Sequence, residues 1–152
     1  MERKYNYTIA ELVDRLSIIQ MKQIFISENA KEYEIEIRNI MQDIDYILEH
    51  DETGAFDSGY VGNSFTSKMI RASLIIQIVN REIWLNESLA RQGSSDQNDR
   101  LRFTHSLNGI RNTAKNIIAK ENGERLDFKV DSLAADLPKE YGNWNIFTGW
   151  EK

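Results

Sequence analysis

The sequence predicts an all-α protein: a four-helix bundle made of two αα-hairpins, followed by a short C-terminal helix and an aromatic tail. Apolar residues recur at helical spacing in four long segments, which is the main sign of amphipathic helices. Short polar breaks join the first segment to the second and the third to the fourth, as in antiparallel hairpins. We therefore expect one domain over residues 1–152, with hairpins at 8–50 and 65–122, a loop at 51–64, and the C-terminal helix and tail at 125–152.

The first predicted helix, Ile9–Glu28, has the clearest start signal in the chain. Thr8 and Glu11 have the spacing of a capping box, in which each side chain bonds the backbone amide of the other residue. Apolar residues cover most of the helix surface, so we expect it to be largely buried. Its polar residues allow two interpretations. Glu11 and Arg15 are one turn apart, the spacing of an exposed ion pair, and together with Lys22 they also form a strip suited to a groove between helices.

The same periodicity predicts three further long helices. They cover Lys31–Glu49, Thr66–Arg91 and Gln97–Glu121. The last of them is expected to end at Asn122-Gly123, because glycine is common just past a helix end. The third helix is apolar on most of its sides.

The C-terminal part of the sequence combines a short helix with aromatic residues. The helix is expected over Leu126–Leu137 and ends before Pro138. The tail carries Tyr141, Trp144, Phe147 and Trp150. Exposing these rings to water would be costly, so they either pack back on the bundle or contact a second subunit. The second alternative predicts a homodimer.

The composition excludes several classes of protein. The 152 residues carry a net charge of -5 at pH 7, which gives no general attraction to nucleic acid or to an anionic membrane. The chain has no cysteine, so disulfides, thiol nucleophiles and thiolate metal sites are excluded. Charges interrupt the apolar runs, and Met1–Tyr7 lacks a signal-peptide pattern. We therefore expect a cytoplasmic protein that does not span a membrane.

A group of carboxylates leaves catalysis open as an alternative. Small all-helical nucleotide pyrophosphatases hold magnesium with carboxylates on facing helices, and magnesium needs oxygen ligands from at least two elements. Here the carboxylates gather on the second predicted helix, at Glu32, Glu34, Glu36, Asp43 and Asp45. A solvated acidic face is the commoner explanation of such a group. The two histidines, His50 and His105, have no partner at zinc-ligand spacing, so we expect no metal site and no cofactor.

Polar side chains within the apolar helices mark the predicted binding site. Buried polar groups must be paired, so a structural network of hydrogen bonds between helices is one explanation. The other is a groove for a small polar ligand, such as a nucleotide or a sugar. We expect this ligand between the first, third and fourth helices, in contact with Asp14, Arg15, Lys22, Asn80, Arg81, Asn108, Arg111 and Asn112.

Several of these residues belong to short motifs. The motifs are Asp14-Arg15-Leu16-Ser17-Ile18-Ile19 followed by Lys22, then Asn80, Ile83-Trp84, Glu87 and Ala90-Arg91, and then Leu107-Asn108 and Arg111-Asn112. They resemble motifs of an uncharacterised family of small helical proteins of bacteria and large phages, often encoded near glycosyltransferase and polysaccharide-synthesis genes. In this chain the two segments stand in the opposite order, and Leu85 and Ile26 occupy the place of a usual histidine. The resemblance implies a helical fold and a bacterial or phage source, but no reaction.

Taken together, these features favour a non-catalytic protein that binds a ligand or another protein. Its polar groove between helices would suit a nucleotide-like or sugar-like ligand. The alternative is a metal-dependent enzyme, similar to a nucleotide pyrophosphatase or acting on a glycan. Thermal stability that depends on magnesium or manganese would favour this alternative.

Overall fold

The computed structural model describes residues 6–49 and 65–127, together with Tyr141, Gly142 and Trp144. These residues form four helices and no strand: α1 (Ile9–Phe25), α2 (Ala30–Glu49), α3 (Ser67–Arg91) and α4 (Gln97–Glu121). The all-α fold predicted from the sequence is confirmed. None of these described helices has the length and the apolar character needed to cross a membrane.

Helix α1 begins at the predicted capping box and ends earlier than predicted. The Thr8 hydroxyl accepts a hydrogen bond from the Glu11 amide at 3.2 Å, and the Glu11 carboxylate accepts one from the Thr8 amide at 2.8 Å. The prediction placed the end of the helix at Glu28, but Ile26 already has an extended backbone, with φ of -124°. Ile26 still donates to the carbonyl of Lys22, so the last turn is closed.

Helices α3 and α4 form an antiparallel hairpin that contains most of the core. At one end Lys68 lies 3.6 Å from Glu121, and at the other end Arg100 donates to the side chain of Asn86 at 2.8 Å. The largest fully buried side chains of these two helices are Phe103, Ile76, Leu107, Ile110, Ile118 and Val79. Gly123 has a φ of 66°, which favours glycine, and it follows the last residues of α4 as the sequence predicts.

Helix α1 lies between this hairpin and α2. Its Ile9 and Ala10 belong to the main core, whereas Leu12 and Ile19 form a smaller cluster with Ile40 of α2. Ile40 is the one fully buried side chain of α2, and α2 makes most of its helix contacts with α1. The bundle is therefore dense between α1, α3 and α4, and looser on the side of α2.

The described part of the C-terminal region packs on α4. The ring of Tyr141 stacks on Phe103 with the ring centroids 4.5 Å apart, and Trp144 lies 5.9 Å from the same ring. These two residues follow the predicted alternative in which the tail packs back on the bundle. Residues 125–127 are not helical, and the rest of the predicted helix lies outside the described residues, as do Phe147 and Trp150.

Candidate functional site

Polar side chains from α1, α3 and α4 meet in one group, which we call the polar cluster. It consists of Asp14 and Ser17 on α1, Asn80 on α3, and Arg111 and Lys115 on α4. Three of these five residues, Asp14, Asn80 and Arg111, were predicted as site residues. The structure therefore brings together residues from the three helices between which the sequence analysis expected a ligand.

Asn80 is the centre of the polar cluster and is only 3% exposed. Its amide nitrogen donates to Asp14 Oδ1 at 2.8 Å and to Ser17 Oγ at 2.5 Å. Its carbonyl oxygen accepts a hydrogen bond from Arg111 Nη1 at 3.1 Å. Because the side chain uses both ends of its amide, the cost of burying it is offset by three hydrogen bonds. The same bonds fix the orientation of the two charged groups on either side.

The polar cluster contains more positive than negative charge. Lys115 Nζ lies 3.7 Å from Asp14 Oδ2, and Arg111 is one turn before Lys115 on the same face of α4. Among residues 6–49 and 65–127, no carboxylate pairs with the guanidinium of Arg111, which bonds only the neutral Asn80. The cluster thus holds two cations and one carboxylate, and of the two cations Lys115 is the one within ion-pair distance of Asp14. The side chains of Asp14 and Lys115 are 15% and 20% exposed, so one edge of the cluster reaches solvent.

The polar face of α4 extends beyond the cluster. Thr104 and Asn108 stand at the three- and four-residue spacing that places them in line with Arg111 and Lys115. Asn108 donates to the backbone carbonyl of Thr104 at 3.2 Å. The Thr104 hydroxyl is buried and has no hydrogen-bond partner among the residues that the structure describes, which is uncommon because buried polar atoms are nearly always paired. The polar face of α4 therefore continues from the two cations to the interior of the bundle.

The remaining predicted residues lie elsewhere or contribute less directly. Arg15 turns to α2 and pairs with Glu36, and Arg81 pairs with the adjacent Glu82 at the surface. Lys22 is partly buried two turns after Asp14, and Asn112 is buried in α4. The sequence analysis missed Ser17 and Lys115. Their signals were present, because Ser17 is three residues after Asp14 and Lys115 four after Arg111.

A separate pocket of about 340 Å³ lies between α1 and α2. Its lining consists of Asn6, Tyr7, Leu12, Asp43, Tyr46 and Ile47. None of the predicted site residues lines it. The pocket offers one carboxylate between aromatic and apolar groups, whereas the polar cluster joins charged groups from three helices, so we regard the cluster as the candidate site.

Two carboxylates with shifted pKa values lie at the start of α1 and outside the cluster. Burial raises the pKa of Glu124, although this carboxylate accepts a hydrogen bond from the Ile9 amide at 2.8 Å. Burial also opposes ionisation of Glu11, but the Thr8 amide and the nearby Arg125 outweigh it, and the pKa of Glu11 is lowered. Both groups bond helix amides or a cation, so their chemistry is that of a helix cap.

The acidic residues of α2 do not form a metal site in the described structure. Glu34 pairs with Arg38, and Glu36 pairs with Arg15. Across the part of the chain that the structure describes, no three His, Asp or Glu side chains come together as metal ligands would. The described residues therefore add no support to the metal-dependent alternative.

Comparison of the chain with protein-family models, with curated proteins and with solved structures finds no match. The resemblance to a bacterial and phage family thus stays a prediction.

Proposed function

We propose that the protein is a non-catalytic binding protein that holds a small anionic ligand at the polar cluster between α1, α3 and α4. A nucleotide or a sugar phosphate has the required chemistry. The observation that carries the proposal is the charge of the cluster, in which the cations Arg111 and Lys115 lie with one carboxylate, Asp14, which is paired with Lys115. The cytoplasmic location expected from the sequence is part of this proposal.

Of the groups in the cluster, the guanidinium of Arg111 most strongly favours an anionic ligand. A mostly buried charge without an opposite charge is costly, so such groups are normally paired. Arg111 has five donor hydrogens, and Asn80 accepts one hydrogen bond from it. Its planar fork matches two oxygens of a phosphate or a carboxylate. An anion at the exposed edge of the cluster would supply a second negative charge beside that of Asp14 and so balance the two cations.

The neighbouring groups favour a ligand that is polar beyond its anionic end. Lys115 provides a second cation one turn from Arg111, and Asp14 can accept hydrogen bonds from hydroxyl groups. Thr104 and Asn108 continue the polar face along α4. A phosphate ester of a sugar or a nucleoside combines an anion with several hydroxyl groups and so fits both parts of this surface.

The test is a set of thermal-shift and calorimetric titrations with inorganic phosphate, glucose 1-phosphate, UMP and UDP. We expect at least one of the phosphate esters to bind. Arg111→Met, which keeps an unbranched apolar stem and removes the guanidinium, should weaken binding about 10- to 100-fold, since one charge-assisted contact contributes about 1.5–3 kcal/mol.

The matched control is Arg38→Met, because Arg38 is exposed on α2 and far from the cluster in the fold. This variant should bind as the wild type does. The proposal is wrong if none of the four probes binds, or if Arg111→Met retains full affinity while circular dichroism shows that it is folded.

A further inference from the structure

Helix α3 carries an apolar stripe on the face that its own bundle leaves open. Ile70, Leu74, Ile78 and Leu85 are 49%, 62%, 55% and 41% exposed. Their spacings of four and seven residues place them on one side of the helix, over a length of about 22 Å. Single exposed leucines are normal on protein surfaces, but four in line on one helix are not. We call these four residues the α3 stripe.

The exposed apolar surface continues from the α3 stripe onto the end of α1. The ring of Phe25 contacts Trp84 edge-on, with the ring centroids 5.5 Å apart, and Trp84 directly precedes Leu85. Phe25 is 62% exposed and its neighbour Ile24 is 66% exposed. The end of α1 therefore adds exposed apolar surface beside the Leu85 end of the stripe.

The size of this patch matches what a stable dimer needs. Six large apolar side chains, each about half exposed, present roughly 500–600 Å² of surface, at the upper end of what monomers expose in one patch. Two such patches facing each other would bury about 1,000–1,200 Å², close to the lower limit of specific protein interfaces. A second copy of the chain carries the same apolar surface and can therefore serve as the partner.

The arrangement of residues along the α3 stripe favours one geometry. In a parallel pair of α3 helices, the two Arg81 side chains within the stripe would meet, and their like charges would repel. In an antiparallel pair with its two-fold axis near Ile78, each Ile70 faces Leu85 of the other copy. The aliphatic stem of Arg81 then lies over apolar surface of the other copy, while its guanidinium stays paired with Glu82, 3.0 Å away.

From these observations we infer that the protein forms a homodimer through the α3 stripe, with the two α3 helices antiparallel about a two-fold axis near Ile78. This inference is independent of the proposed ligand. It names a surface for the dimer, whereas the sequence analysis expected one through the aromatic tail. Tyr141 and Trp144 of that tail are packed on Phe103 and are not part of the patch.

The first test is the mass in solution of the full chain, measured by light scattering and sedimentation over a range of concentrations. The wild type should reach twice the chain mass of 17.7 kDa. Ile78→Glu brings two like charges together near the two-fold axis and should raise the dimer dissociation constant at least ~100-fold. Ile35→Glu makes the same kind of change at a residue on α2 that is 55% exposed, and this control should remain dimeric.

A second test uses the fact that the chain has no cysteine. Oxidation of Ile78→Cys should give a covalent dimer, because the two sulfurs lie close to the two-fold axis and within reach of a disulfide. Ile35→Cys, at a position with the same exposure of 55%, should stay monomeric under denaturing conditions.

Three results would overturn the inference. The first is a wild type that stays at the mass of one chain at all concentrations, which would leave the stripe to another segment of this chain or to a different protein. The second is a dimer that Ile78→Glu does not weaken. The third is a dimer in which Ile78→Cys gives no more covalent product than Ile35→Cys.

Discussion

The contribution of the polar cluster to the stability of the fold can be tested at its central residue, Asn80. Asn80→Leu keeps the branch of the side chain at Cγ but removes all three of its hydrogen bonds. Asp14 and Arg111 each lose a partner, and both remain mostly enclosed by the helices. The variant therefore measures how much the hydrogen bonds to these two charged groups add to the free energy of unfolding.

The expected loss of stability follows from the partners. Hydrogen bonds to charged groups contribute about 1.5–3 kcal/mol each, and the bond to Ser17 is of the neutral kind, worth about 1 kcal/mol. Asp14 keeps Lys115 at 3.7 Å, and water at the exposed edge replaces part of what is lost. We therefore expect Asn80→Leu to lower the free energy of unfolding by about 2–4 kcal/mol.

The assay is urea unfolding followed by circular dichroism at neutral pH, where this loss should lower the midpoint by about 1–2 M. Asn39→Leu, at an exposed position of α2, is the matched control and should change the free energy by less than about 0.5 kcal/mol. If Asn80→Leu were as stable as the control, the three bonds would contribute nothing and the reasoning on the cluster would fail.

Three further changes test other parts of the fold. Thr8→Ala removes the capping box of α1 and should cost about 1 kcal/mol in thermal unfolding. Phe103→Ala should cost about 3–5 kcal/mol and reduce the near-ultraviolet signal of the rings that pack on it. Burial raises the pKa of Glu124, so folding favours its protonated form, and this contribution is lost as the pH rises through the raised pKa. Glu124→Gln carries no charge there, so its stability relative to the wild type should increase between about pH 4 and pH 7, measured by urea unfolding at both values.

Local signals in the sequence predict the helices and their starts, because capping depends on residues a few positions apart. The capping box at Thr8 and the end of α4 at Gly123 are of this kind. The end of α1 is less well predicted, since no glycine or proline marks it. The chain leaves the helix at Ile26 and reaches the first turn of α2 by Ala30, a geometry set by how the two helices pack.

The candidate site is predicted in part, because helical spacing gives the face of a residue but not the helix that covers this face. Asp14 and Arg15 are adjacent in sequence and about 100° apart around α1. The first turns to α3 and α4, and the second to Glu36 of α2. The sequence marks both as polar residues in an apolar helix. Only the packing of the helices shows which one joins Asn80 and Arg111.

The apolar residues of α3 likewise show that the sequence alone does not determine which face of a helix is buried. These residues lie on most sides of the helix, so the sequence does not show which side is left exposed. The structure buries Ile76 and Val79 completely but leaves Leu74 and Ile78 more than half exposed. Amphipathic spacing cannot distinguish a face that meets its own bundle from one that meets another chain, because both require the same residues.

The two proposed surfaces lie on opposite sides of α3, and this has a testable consequence. Asn80, which organises the polar cluster, and Ile78, which is near the proposed two-fold axis, are about 160° apart around the helix. Because α3 is a single continuous helix with a packed core on one side, a charge on its outer face should not disturb the cluster. We therefore expect Ile78→Glu to weaken the dimer and to bind a phosphate ester with unchanged affinity, while Arg111→Met does the reverse. Titration and sedimentation of both variants measure this, and equal losses of both properties in either variant would show that ligand binding and dimerisation share one surface.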